Sequence, residues 1–236
     1  MWKSTIKQKN INLGLLTLKD HHIIRNTRIV ALEKLNSQGI YWSLIAANNH
    51  KPTSQIYFEK LFPDTSLNWK NIYLVARKVT TCTYLRCFQY KILTNTLYLN
   101  KKLFLFKKSK SPLCSFCRTE EETVPHLFYS CPRTQSLWLR LKNTLARDFS
   151  LPLLTPQAAS FCFLNIDTDI HAISNHILLI FKLYIYQSRE SNALCFNHLF
   201  NRIIEVKRIE KQAAVYSKSF AQYTKKWQIS DTTLNT

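Results

Sequence analysis

Cys114, Cys117, His126 and Cys131 are the side chains whose types and spacing point most directly to chemistry. Two thiols separated by two residues, an eight-residue insert, and a His and Cys separated by four residues are the ligand pattern of one zinc ion. A closed tetrahedral site needs a pair of soft ligands biting from one tight turn and a second pair returning from another element. With all four positions filled by protein, the ion would be structural, with no open position for a catalytic water. Three of the seven cysteines fall inside this one window. The competing assignment, reduced cysteines and a histidine packed in a core, fits the usual burial of free cysteine but not that clustering.

Other groups offer weaker patterns. Asp64, Asp167 and Asp169 could serve a metal-dependent nuclease, with Pro63-Asp64 and the distant Glu205-Val206-Lys207 imitating a restriction-type motif. Asp169, however, directly precedes an apolar helical face, which makes it a helix N-cap. Adjacent His21 and His22 point apart on a helix, and His171, His176, Cys195 and His198 have undistinguished spacing, so all are assigned to packing or surface. Cys82 and Cys87 share no helical face and are taken as packing residues.

Charge names the partner class. The chain carries 33 Lys and Arg against 14 Asp and Glu, a formal charge of +19, which calls for an anionic partner, nucleic acid before a membrane surface. The excess is local. From Lys70 through Arg77, Lys78, Arg86, Lys91, Lys101, Lys102, Lys107, Lys108 and Lys110 to Arg118 there is no acidic residue. A solvated face ordinarily mixes both signs, so this stretch is the expected contact for RNA or DNA. Its aromatics Tyr98, Phe104 and Phe106 could stack on bases, but beside a small metal site they are assigned to its core. No secretory signal and no membrane-spanning apolar run is present, which sets the cysteines in a reducing compartment and favours metal over disulfides.

The elements that must position these residues read as helices. Two glycines in 236 residues leave few tight hairpins, so the fold class is mainly α, helical segments around a small CCHC zinc-stabilised unit. Periodicity predicts helices over 28–36 (Ile29, Leu32, Leu35), 54–62, 79–93 (Leu85, Phe88, Ile92) and 132–149 (Leu137, Trp138, Leu141, Leu145). It adds one from Asp169 (Ile170, Ile173, Ile177, Ile180, Phe181, Tyr184) and one over 196–216. The last carries Arg202, Lys207, Arg208 and Lys211 as a second basic patch. The stretch 97–106 is ambiguous between strand and helix. Thr119-Glu120-Glu121-Glu122 reads as a capping box opening the helix that bears His126, and Pro132 can start the next one. The stretch 151–156 reads as a linker. Four regions follow: a helical connector 1–64, a zinc-binding and basic domain 65–150, a helical region 151–227 and a disordered tail 228–236.

Whole words of the sequence add to this. Asn68-Trp69-Lys70-Asn71-Ile72, Leu85-Arg86-Cys87-Phe88-Gln89-Tyr90-Lys91-Ile92-Leu93, Pro112-Leu113-Cys114-Ser115-Phe116-Cys117, His126-Leu127-Phe128-Tyr129-Ser130-Cys131-Pro132 and Leu137-Trp138 together resemble a known segment. It is the zinc-binding region at the C-terminal end of LINE-type, non-LTR retrotransposon reverse transcriptases. The resemblance is closest over 65–146. It implies a non-catalytic module that follows the polymerase domain, binds zinc through Cys114, Cys117, His126 and Cys131, grips template RNA or target DNA, and supports target-primed reverse transcription. It further implies that the module works with the rest of the polyprotein in nuclear and cytoplasmic ribonucleoprotein. The paired aspartates of a polymerase palm are absent from the sequence. A metal-dependent nuclease and a zinc-stabilised protein-interaction module remain the rival expectations.

Overall fold

The computed structural model describes residues 22–25, 28–31, 36–38, 41, 51–146, 151–164 and 169–227. The chain divides between Thr53 and Ser54 into two compact units. In the first, β1 (His22–Arg25) pairs antiparallel with β2 (Arg28–Ala31), Ile23 opposite Val30 and Ile24 opposite Ile29. The helix expected from Arg28 is therefore a strand at its start. Consecutive β-branched residues on both sides of a two-residue connection favour pairing over a helix whose next turn would have to hold them. Leu32, Leu35, His21 and the tail 228–236 lie outside the described residues.

The second unit is helical. Its elements are α1 (Thr53–Leu61), α2 (Trp69–Val79), α3 (Thr83–Leu93), α4 (Asn100–Leu105), a π turn (His126–Ser130), α5 (Pro132–Leu145), α6 (Pro156–Phe161), α7 (Asp169–Ser188), α8 (Phe196–Tyr216) and α9 (Phe220–Lys226). Boundaries have local causes. Asn68 Oδ1 accepts from the Asn71 N–H to open α2, and Thr155 Oγ1 accepts from the Ala158 N–H to open α6, with Pro156 in the first turn. The single helix expected over 79–93 is broken at Thr80, whose extended backbone ends α2. The Arg86 guanidinium closes that end by donating to the Thr80 and Arg77 carbonyls at 2.6 and 3.1 Å.

One apolar core joins α2, α3, α5, α7 and α8 with the π turn; the residues expected on the faces of α3 and α5 are buried in it, as are Ile173, Ile177, Ile180, Phe181 and Tyr184 of α7, while the side chain of Ile170 lies outside the description. Leu151, expected in a linker, is buried there too, so the chain on both sides of 151–156 packs into one unit. A neighbouring cluster sets Phe58, Phe62 and Trp69 edge-on to Phe161, with ring centroids 5.0 to 5.8 Å apart. Lys182, in the middle of α7, is wholly buried. Its ammonium donates to Gln89 Oε1 at 2.7 Å and the Ala159 carbonyl at 3.1 Å, with Cys162 Sγ at 3.5 Å. Burial still pushes its pKa down. Gln89 in turn donates to the Ser160 carbonyl, so one polar knot keys α3, α6 and α7 together.

His176 on α7 is buried against Trp227, with Glu210 Oε1 3.8 Å from Nδ1. Burial first, and the nearby Lys226 ammonium second, hold its pKa well below 6.5. The folded state therefore takes up fewer protons than the unfolded chain once pH drops below that value. Full stability is expected above pH 6.5, with a loss of up to about 1.4 kcal/mol per pH unit as pH falls toward the folded pKa. Urea titrations between pH 7.5 and 5.5 should show a shallower loss in His176→Phe than in the wild type. Equal slopes would remove His176 as the cause.

Candidate metal centre

The finger is built on a short hairpin. Leu113 bridges Glu121, the Cys114 N–H donates to the Glu120 carbonyl at 2.8 Å, and the Glu122 N–H donates to the Pro112 carbonyl at 2.9 Å. Between them the chain turns back on itself, the Arg118 N–H meeting the Cys114 carbonyl at 3.0 Å with Arg118 in the left-handed region, φ +59°. This turn brings Cys114 and Cys117 to one side. The return pair comes from the π turn, entered from two helical residues, 124 and 125. The Thr123 hydroxyl accepts from the His126 N–H, so the capping residue is Thr123 and not Thr119. An α-helix would set His126 and Cys131 about 140° apart around its axis. The wider loop, closed by a Cys131 N–H to His126 carbonyl bond of 2.8 Å, narrows that offset.

Both pairs meet. Cys114, Cys117, His126 and Cys131 present ligand atoms that all lie within 4.8 Å of one another. Cys114 Sγ is 3.9 Å from Cys131 Sγ, and Cys117 Sγ is 3.2 Å from His126 Nε2. Sulfurs held about 2.3 Å from one tetrahedral ion stand about 3.8 Å apart, so the spacing fits a single ion. Cys114, His126 and Cys131 are buried and Cys117 is half-buried. The electrostatics favour thiolates at Cys117 and Cys131. A hydrogen bond from the Cys114 thiol brings Cys131 down to about 5, and the same bond, with burial, pushes Cys114 up. Burial opposes ionisation of Cys117, but hydrogen bonds from Thr119, Glu120 and His126 together outweigh it.

Three glutamates follow the acid-free stretch, and each has its own task. Glu120 Oε2 stands 3.0 Å from His126 Nδ1, which fixes the ring so that Nε2 faces the cluster. Burial lowers the basicity of His126, while Cys117 and Glu120 raise it past that cost. Glu121 pairs with Lys101 at 2.6 Å. Glu122 is fully buried. It accepts from the Asn100 and Ser115 N–H groups at 2.9 Å and the Ser115 hydroxyl at 2.8 Å, and it pairs with Arg189 at the end of α7. Arg189 also donates to the Tyr98 carbonyl and lies over the Tyr186 ring. The 119–122 run is thus the outer support of the cluster rather than a capping box. Its sequence signal was the abrupt return of carboxylates between the two ligand pairs.

The basic residues divide by use. Arg77, Lys78, Lys91, Lys101, Lys107, Lys108, Lys110 and Arg118 are exposed, while Lys102 is half-buried and Arg86 is committed to capping α2. Lys207 is buried, which removes it from the second patch. Residues 97–106 resolve as a helix from Asn100, and Tyr98, Phe104 and Phe106 are exposed by 60, 46 and 60%, not packed into a core. Cys82 and Cys87 are also exposed. A cleft of about 420 Å³ opens beside the finger, lined by Phe116, Arg133, Ser136, Arg140, Leu194 and Phe196, with the Arg140 guanidinium 4.3 Å above the Phe196 ring.

Of the remaining candidates, Asp64 is exposed on a loop, Asp167 lies outside the described residues and Asp169 opens α7. Among the described residues the Cys and His quartet is the one group of three or more potential ligands brought together. No helix of the described residues is long and apolar enough to cross a membrane.

A Cys3His quartet, clamped by its own hairpin and π turn inside a helical unit, has the ligand set and spacing that could hold a structural metal ion. Residues 52–138 match the family model described as zinc-binding in reverse transcriptase, a window that holds all four ligands and the basic stretch. That family describes an accessory zinc-binding segment rather than a catalytic one. No curated protein and no solved structure matches the chain.

Proposed function

We propose that this chain is the nucleic-acid-gripping zinc segment from the C-terminal end of a LINE-type, non-LTR retrotransposon reverse transcriptase. It holds template RNA or target DNA in place while the polymerase of the same polyprotein carries out target-primed reverse transcription in nuclear and cytoplasmic ribonucleoprotein. The observation that supports it is the coincidence of the metal quartet with exposed lysines inside the matched window. Zinc, held by Cys114, Cys117, His126 and Cys131, supplies folding energy here. The protein's own side chains do the rest: the hairpin and α4 are fixed to the core through Glu122, and Lys107, Lys108 and Lys110 are turned to solvent beside them.

Contacts of this kind are made chiefly to phosphate, give little sequence information and release counterions. Fluorescence anisotropy with labelled RNA and DNA should show affinity falling steeply with salt. Lys107→Ala with Lys108→Ala should flatten the log-log slope by about 0.7 to 0.9 for each phosphate no longer neutralised. Arg86→Ala should lower thermal stability and leave the slope in place, because that guanidinium serves backbone carbonyls. A salt-insensitive complex, or a slope unchanged by the lysine pair, would contradict the proposal.

A further inference from the structure

The tip of α4 combines features that protein interiors and protein interfaces both avoid. Phe104, Leu105 and Phe106 are exposed by 46, 70 and 60% in consecutive positions. Neither phenylalanine has a ring partner among the described residues. Lys107 then adopts φ +54°, and the Lys107 and Lys108 N–H groups return to the Phe104 and Leu103 carbonyls at 2.9 and 2.7 Å. This left-handed turn stops the helix, and the exposed Lys107, Lys108 and Lys110 directly follow the apolar tip in the chain as Lys101 and Lys102 precede it. Lys101 is paired with Glu121, whereas Lys102, Lys107, Lys108 and Lys110 form no ion pair among the described residues.

An apolar patch meant for another protein is depleted of lysine at its centre, whereas aromatic faces set in a lysine field suit a strand whose bases are free to stack. We propose that the α4 tip is a stacking platform for single-stranded RNA or DNA: Phe104 and Phe106 take unpaired bases, and Lys107, Lys108 and Lys110 follow the adjoining phosphates. This rests on the nucleic-acid reading above and narrows it, since a duplex keeps its bases inside and can meet only the lysines.

The test compares a labelled twelve-nucleotide single strand with its own duplex, using wild type and the Phe104→Ala, Phe106→Ala double variant. Both side chains are solvent-exposed, and retained metal content and circular dichroism establish that the variant is folded. The expected result is at least about a tenfold loss of single-strand affinity, with the salt slope and the duplex affinity unchanged. Wild-type single-strand affinity in the variant would overturn the platform while leaving the lysine contacts standing. Equal losses on strand and duplex would overturn it as well. A variant that changes only the sedimentation coefficient would assign the tip to contact between copies of this chain. Failure of wild-type protein to bind either probe would instead bring down the nucleic-acid reading as a whole.

Discussion

Stripping the metal should unfold the finger, not merely slow a reaction. Structural zinc in small fingers is worth roughly 10 to 16 kcal/mol near neutral pH, as much as the whole stability of an ordinary domain. The quartet is the natural holder of that energy here, because buried Cys114 and Cys131 and the imidazole of His126 have no other reason to converge within 4.8 Å. Native mass spectrometry should find one zinc per chain, and none after Cys114→Ser. A strong chelator at pH 7 should abolish the melting transition of the region or lower it by tens of degrees. The exposed Cys82 and Cys87 provide the control, since their serine variants should keep the ion and the melting temperature. A Cys114→Ser protein that still binds one zinc with wild-type affinity would remove the quartet as its site.

The second large effect is expected at Glu122, where no ligand atom is involved. Its carboxylate is fully buried, satisfies two backbone N–H groups and faces the Arg189 guanidinium, itself only 10% exposed. Removing one member of such a pair leaves the other charge buried without compensation, a loss of about 3 to 5 kcal/mol. Glu122→Ala should therefore lower the melting temperature by roughly 10 °C or more. Glu122→Gln should fall between, keeping the shape and losing the charge. Simultaneous replacement of Glu122 and Arg189 by apolar residues should recover part of the loss. If Glu122→Ala melts within a degree or two of wild type, α7 and the finger are not joined through this pair.

The ligand quartet was legible because metal coordination restricts both residue type and spacing, and the faces of α3, α5 and α7 because helical burial has a period that a single sequence displays. What stayed hidden was decided by partners distant in the chain. Nothing near Glu122 announces Arg189, and nothing near Lys182 announces Gln89 and Ala159. Local composition also misjudged Tyr98, Phe104 and Phe106, whose apolar character argued for a core that the short α4 leaves uncovered. At β2 the same residues satisfied a helical pattern and a strand pattern, and pairing with β1 decided between them.

The π turn carries a consequence of another kind. Because the return pair of ligands depends on how many peptide units lie between His126 and Cys131, this span should tolerate changes of spelling far better than changes of length. Gaining a single residue would set the two ligands six positions apart, a span that ordinary helical winding does not bring to one face, and would swing the last sulfur around the axis, away from its three companions. The surface loop at 107–111, which carries no metal ligand, is under no such arithmetic.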